Sequence, residues 1–252
     1  MCRLLGLVSR DETTIPDALG ADFTAFTALS AGLHGDGWGV AAEHAGKRTI
    51  IRAAEAAHSS AHYRAATSVP VSSAITHLRA ATLDLPVADR NTHPFVHGDV
   101  SFAHNGSIRE IAAIEQIIDP DLRRGIQGDT DSERYMLALV SELRRSSPVD
   151  AVRTVAARLS EVAVEASINA LLLTPDELII VADEHAKAPA FVGADYYALS
   201  YLERNGLFAV ASSGWERESW RAIPERSVLT VDRRTLELRI DDLDGRREAI
   251  AA

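Results

Sequence analysis

An α+β fold with two antiparallel sheets covered by helices is predicted from three observations. Strand-like runs come first, amphipathic helical runs occupy the middle, and three successive hairpins close the chain. That order differs from the βαβα alternation of a parallel sheet. No internal repeat or low-complexity linker interrupts the 252 residues, a length that suits one large domain.

Each element has its own signature. Arg3–Val8 (RLLGLV) is a short apolar run suited to a buried strand, with Cys2 at its start. Ile15–Leu29 carries helix-like apolar spacing, and Gly32–Gly39 (GLHGDGWG) is too glycine-rich for anything but a loop. Gly37–Ala42 and Thr49–Ala53 are strands around a turn at Ala45-Gly46. The β-branched run Val71–Leu78 leads into Arg79 and Thr82, and a loop spans Asp84–Gly98. Val100–His104 is a strand expected to end at Asn105-Gly106, a strong turn pair. Ile108–Ile118, Ser132–Leu143 and Val149–Leu159 have helical period, with Asp131 as N-cap of the second and Pro148 opening the third. The hairpins pair Ile168–Thr174 with Leu178–Ala182, Tyr197–Leu202 with Leu207–Ala211, and Ser227–Val231 with Leu236–Ile240.

Composition narrows the function. A net charge of −10, with basic residues scattered in pairs, excludes a sequence-independent grip on nucleic acid. No stretch reaches the roughly 18 apolar residues of a membrane span, and no charged-then-apolar leader is present. A single cysteine excludes an intramolecular disulfide framework. A cytoplasmic protein with a reduced thiol is expected.

That cysteine is residue 2. Removal of Met1 leaves it with a thiol and a free α-amine, a nucleophile and its base in one residue, because the amine titrates at about 8. Three further constellations follow. His77 and Arg79 project from one face of a strand, and an arginine there can clamp a carboxylate with two parallel hydrogen bonds, with Thr82 as another donor. His104-Asn105-Gly106 offers an amide side chain and a glycine N–H to an oxyanion, although an ordinary Asn-Gly turn reads equally well. In Gly128–Glu133 (GDTDSE), Asp131 suits an ammonium as well as a helix cap. A site that holds one carboxylate and one ammonium and brings a thiol to a distal carbonyl is built for glutamine or another γ-glutamyl amide. No cofactor and no metal is required.

The order Met-Cys, Gly-Asp-Gly-Trp-Gly, His-x-Arg-x-Ala-Thr, His-Asn-Gly and Thr-Asp-Ser-Glu, running from Cys2 to Glu133, resembles the class II glutamine amidotransferases. The resemblance implies the N-terminal-nucleophile (Ntn) hydrolase fold, a four-layer αββα sandwich. It implies that Cys2 attacks the γ-amide and that Asn105 and the Gly106 N–H form the oxyanion hole. Arg79 and Thr82 would hold the α-carboxylate, and Asp131 with the Gly106 carbonyl the α-ammonium. Gly37 and Trp38 would belong to the loop lining the glutamine pocket, with His104 beside it. Ala80 and Leu83 depart from the Trp and His of many synthase-linked members. The segments His34–Gly39 and Asn91–Phe95 look more like stand-alone members, one branch of which removes a γ-glutamyl group in ergothioneine synthesis.

Only about a dozen residues follow Ile240, against the ~100–200 of a further domain. The chain is therefore expected either to act alone as a γ-glutamyl amidohydrolase, the favoured reading, or to hand ammonia to a separate synthase subunit. Two rivals stay open. A metal-dependent hydrolase could draw on the nine histidines, but the His93/His97 spacing needs a helix that Pro94 and Gly98 disfavour. A catalytically silent binding module has no reason to keep Cys2, Arg79, Asn105 and Asp131 together. Trp215 and Trp220, in Ser213–Arg221, could stack on the leaving group, with packing against the domain the more frequent use of such rings.

Overall fold

The structure is a computed structural model describing residues 2–81, 85–162, 167–184 and 195–245. Thr82 lies outside the described residues, as do Leu83 and Asp84. The strands are β1 (Arg3–Thr13), β2 (Gly37–His44), β3 (Lys47–Ala53), β4 (Val71–Arg79), β5 (Phe95–His97), β6 (Val100–Ser107), β7 (Ser167–Leu173), β8 (Glu177–Ala182), β9 (Leu199–Arg204), β10 (Leu207–Ser212), β11 (Arg221–Ala222), β12 (Ser227–Asp232) and β13 (Leu238–Asp242). They form two sheets, in the orders β11-β9-β10-β1-β4-β2-β3 and β13-β12-β8-β7-β6-β5. Every recorded strand pairing is antiparallel. The three expected hairpins are all present, as β7–β8, β9–β10 and β12–β13.

The helices are α1 (Ile15–Leu19), α2 (Ala21–Ala28), α3 (Ala61–Thr67), α4 (Ile111–Gln116), α5 (Pro120–Arg123), α6 (Asp131–Leu143) and α7 (Pro148–Val162). Three apolar clusters define four layers. One joins α1, α2 and α3 to the first sheet, around Phe26, Trp38, Tyr63 and Leu78. A second joins α4, α6 and α7 to the second sheet, around Phe102, Tyr135, Val155 and Leu172. The third lies between the sheets, around Leu4, Ile75, Leu171, Phe208 and Leu229. The αββα arrangement follows, because a strand buried on both sides gives alternate residues to the two neighbouring layers.

That alternation also builds the site. Leu4 on β1, Ile75 on β4 and Ala103 on β6 lie in the inter-sheet cluster. Two residues along each strand, on the same face, are Cys2, His77 and Asn105. The register sets His77 between Leu4 and Gly39, and Arg79 beside Gly37.

Several sequence expectations need correction. The helix at Ile15–Leu29 is broken at Gly20, whose φ of +55° favours glycine. Asn105-Gly106 is no turn: β6 runs through it, pairing Asn105 with Asn169 and Gly106 with Ile168. A Cβ on Gly106 would stand 1.8 Å from the Ser167 carbonyl oxygen, so the glycine is demanded by a neighbouring strand. Asp131 is not the N-cap of α6; Thr130 is, its hydroxyl accepting from the Glu133 N–H. Trp38 lies in β2 with its ring against Tyr63 in the helix-side core, fully buried, and is not part of a pocket loop. The expected loop at Asp84–Gly98 contains β5, and α3 was not expected.

Candidate active site

A cleft opens at the polar end of the inter-sheet space. Cys2, Arg79, His104, Gly106 and Asp131 all line it, although they come from the position just before β1 and from β4, β6 and α6. Gly37 and Trp38 do not. Thr82 falls outside the described residues, so its part in the cleft is undescribed.

Cys2 is half-buried, and its Sγ donates to the Ala80 carbonyl at 3.8 Å. Burial pushes the thiol above its ordinary value, opposed by the N-terminal charge and the Arg79 guanidinium and reinforced by Asp131. A thiol held in the neutral form needs a base at the moment of attack.

Arg79 is buried, with Nη2 donating to the Pro86 carbonyl at 3.0 Å. Its Nη1 has no hydrogen-bond partner among the described residues. Burial draws the guanidinium below its ordinary value, and Cys2 and Asp36 oppose the shift. A buried, unsatisfied guanidinium nitrogen beside a cleft is complementary to an anion.

Asp131 is the first residue of α6, where its negative charge suits the helix dipole. Its carboxylate accepts from the Ile108 N–H at 2.6 Å and from the Ser132 N–H at 2.8 Å. Both oxygens are thus oriented by backbone while the group still faces the cleft. His104 bridges Ser132 Oγ and the Ser167 carbonyl, each at 2.9 Å. The carbonyl can only accept, so Nε2 carries the proton, while the Ser132 hydroxyl lies between Nδ1 and the Asp131 carboxylate, 3.2 Å from the latter. Burial lowers the His104 pKa, and Asp131 counteracts it. Asn105 is fully buried, and neither its Oδ1 nor its Nδ2 has a partner among the described residues. Its amide is therefore a donor held in place without an internal use.

Two organisers escaped the sequence reading. Asp36, in the first glycine loop, accepts from the Ala81 N–H at 2.8 Å while its own N–H donates to the Arg79 carbonyl at 3.1 Å. It pins the chain as it leaves β4, and its position between two glycines was the available signal. Asn91 donates to the Pro86 carbonyl at 3.3 Å and to Asp129 at 3.1 Å, and accepts from the Asp129 N–H at 2.9 Å. It ties the segment after Leu85 to the loop before α6.

Beside the thiol, the rings of His77 and His93 lie 4.1 Å apart, tilted by 32°. Burial draws both pKa values well below the ordinary 6.5. No ring nitrogen of either has a hydrogen-bond partner among the described residues. The His104 backbone opposes the shift at His77 without reaching hydrogen-bond geometry. Cys2, His77 and His93 each bring one metal-ligating atom to within 4.8 Å of the others. His97 lies in β5, so the His93/His97 pair is not on a helix.

Trp215 and Trp220 donate from their ring nitrogens to Asp22 of α2, at 3.0 and 3.1 Å. Both pack against the helix-side core. These rings are fastened to the domain.

Residues 1–212 match the family described as glutamine amidotransferases class-II. The chain is 26% identical over 206 residues to the probable glutamine amidotransferase DUG3 of Saccharomyces cerevisiae, covering 64% of this chain and 57% of that protein. It therefore spans little more than half the length of that curated relative. Among solved structures, it resembles the glutamine aminotransferase class-II domain protein from Silicibacter pomeroyi with a TM-score of 0.68 at 19% identity, covering 96% of this chain and 99% of that one. It also resembles the glutamine phosphoribosylpyrophosphate amidotransferase of Bacillus subtilis, with a TM-score of 0.65 at 18% identity, covering 96% and 49%. At these identities the structural likenesses speak for the fold.

Proposed function

Because the chain belongs to the class II glutamine amidotransferases, we propose that it hydrolyses the γ-amide of glutamine or of a γ-glutamyl compound, with Cys2 as nucleophile. The observation that carries this reading is the convergence of Cys2, Arg79, Asp131 and Gly106 on one cleft from four separate segments of the chain. With Met1 removed, the Cys2 α-amine takes the thiol proton as sulfur attacks the amide carbonyl. The Asn105 amide and the Gly106 N–H stabilise the oxyanion. The amine returns the proton to the leaving nitrogen, and a γ-glutamyl thioester remains. Water, activated by the same amine, then releases glutamate and the free thiol. Arg79 holds the α-carboxylate, Asp131 the α-ammonium, and His104, through Ser132, orients the start of α6 beside them. Thr82 is assigned to the carboxylate by its place in the motif.

The chain is proposed to act alone. Support comes from the Silicibacter pomeroyi structure, a solved chain that this fold covers almost completely. Delivery of ammonia to a separate synthase subunit is the second reading, suggested by the longer Bacillus subtilis relative. The leaving group is ammonia or a larger amine, and γ-glutamyl thiol-histidine compounds of the ergothioneine type are one candidate, suggested by the likeness of His34–Gly39 and Asn91–Phe95 to stand-alone members. The test is a hydrolysis screen over glutamine, γ-glutamyl peptides and γ-glutamyl thiol-histidine compounds, on protein whose N-terminal Cys2 is verified by mass spectrometry. Cys2→Ala is expected to lower turnover at least about 10³-fold with an unchanged thermal midpoint. Full activity after complete alkylation of Cys2 would overturn the mechanism.

A further inference from the structure

We propose that Cys2, His77 and His93 form a binding site for a soft divalent cation, zinc foremost, which occupies the thiol and silences it reversibly. The three ligand atoms lie within 4.8 Å of one another. Tetrahedral zinc, with sulfur at ~2.3 Å and nitrogen at ~2.0–2.1 Å, holds its ligands roughly 3.3–3.6 Å apart. Closing the difference takes little more than about 1 Å, supplied by rotations of the half-buried Cys2 side chain and of the two imidazole rings.

Thiolate and imidazole are the ligand pair that selects zinc and its neighbours over magnesium or calcium. Neutral imidazole is the ligating form, and burial keeps both histidines neutral. The stronger observation is structural. His77 and His93 are 0% and 4% exposed, yet no ring nitrogen of either has a hydrogen-bond partner among the described residues. Buried imidazoles are almost always satisfied, so an unsatisfied pair beside a thiol has an acceptor site to offer.

The pair is also held ready. His77 sits mid-sheet between Leu4 and Gly39. Gly39 lets the backbone of His93 lie flat on the sheet, since a Cβ there would stand 1.9 Å from the His93 carbonyl oxygen. Cys2 and His93 line the cleft, which supplies the route for an ion. The adverse charge of Arg79 is balanced in the same cleft by Asp131. Once Met1 is removed, the α-amine and thiol of Cys2 form a five-membered chelate, giving four donors. Binding exchanges a proton for the metal: Cys–SH and M²⁺ give Cys–S–M⁺ and H⁺, with no change of oxidation state.

Binding is independent of the hydrolase reading; only its inhibitory consequence rests on Cys2 being the nucleophile. The test titrates metal-free, full-length protein with a verified Cys2 N-terminus with cobalt(II), then zinc. One cobalt per chain is expected, with a thiolate-to-cobalt charge-transfer band in the near ultraviolet and visible bands of a tetrahedral ion, both removed by zinc. Cys2→Ser should lose the charge-transfer band. His93→Gln should weaken binding by more than about tenfold, the loss already seen when an outer-shell partner is disturbed. Where His93→Gln fails to fold, His77→Asn and Cys2→Ser carry the comparison. Zinc should inhibit hydrolysis in step with cobalt displacement, and EDTA should restore it. No charge-transfer band, or equal affinity in wild type and Cys2→Ser, would overturn the site. Protein that binds cobalt in this way but hydrolyses no γ-glutamyl compound would uphold the site and overturn the hydrolase reading.

Discussion

The space between the two sheets contains two regions with opposite physical character. Around Ile75, Leu171, Phe208 and Leu229 it is dry and closely packed. Two residues further along the same strand faces it holds Cys2, His77 and Asn105, and Arg79 follows His77. Several polar atoms there, on His77, His93, Arg79 and Asn105, are buried with no partner among the described residues. The first region gains stability by removing apolar surface from water. The second gives up stability, since each unsatisfied buried group costs about 1–3 kcal/mol. Strands that are rigid because one part is well packed can hold the other part in an unfavourable state.

The contrast is broken most severely in the packed region. Phe208→Ala should cost about 3–5 kcal/mol of stability in a denaturant titration, leaving the KM of surviving folded enzyme unchanged. Its counterpart is His77→Leu, which replaces an unsatisfied ring by an apolar side chain. That change should cost less than about 1.5 kcal/mol in the same titration. Equal losses in the two variants would mean that the polar end supports the fold as much as the core does.

Smaller effects sharpen the comparison within the polar region. Asn105→Ala should lower kcat about 10²–10³-fold, the usual consequence of removing an oxyanion donor, with little change in the unfolding midpoint. Arg79→Lys should raise KM by the equivalent of about 1.5–3 kcal/mol, leaving kcat within a few-fold. An unchanged KM in the lysine variant would remove Arg79 from substrate binding.

A further effect is a slope with pH. His77, His93 and His104 have folded pKa values below the ordinary 6.5, and His34 is lowered to about 4, all chiefly through burial. Below pH 6.5 the unfolded chain takes up protons that the folded chain refuses. The stability these groups contribute is therefore present above 6.5 and lost as pH falls toward the folded values, by up to about 1.4 kcal/mol per pH unit for each group. Urea midpoints between pH 7.5 and pH 5 should fall accordingly, and His34→Gln should flatten the slope.

The sheets and hairpins were legible in the sequence because their signal is local. Period-two alternation and turn residues place β7 to β10 and the β12–β13 pair within a few residues. The parts of the site were legible as motifs, and Cys2, Arg79, His104, Gly106 and Asp131 do meet around one cleft. The failures share a cause. Asn105-Gly106 has the local chemistry of a turn, but the Ser167 carbonyl of a strand some 60 positions away requires an extended glycine. Asp131 looks like a cap, yet Thr130 takes that role and frees the carboxylate to be oriented by Ile108. Trp38 follows a glycine loop and still turns inward, because alternation on β2 puts it on the helix side. The contact of His93 with His77 and the pinning by Asp36 and Asn91 are tertiary facts with no periodic trace.

The same alternation along β1 acts as a ruler. Leu4 is locked into the core by its register with His77, and Cys2 is the next position on that face. One residue inserted between them would turn the thiol toward the helices and present a backbone segment to the cleft. The spacing from the nucleophile to Leu4 therefore governs where the thiol points as much as the residue at position 2 does. Any change in the length of chain between Cys2 and Leu4 is therefore a change to the chemistry, however little it disturbs the fold.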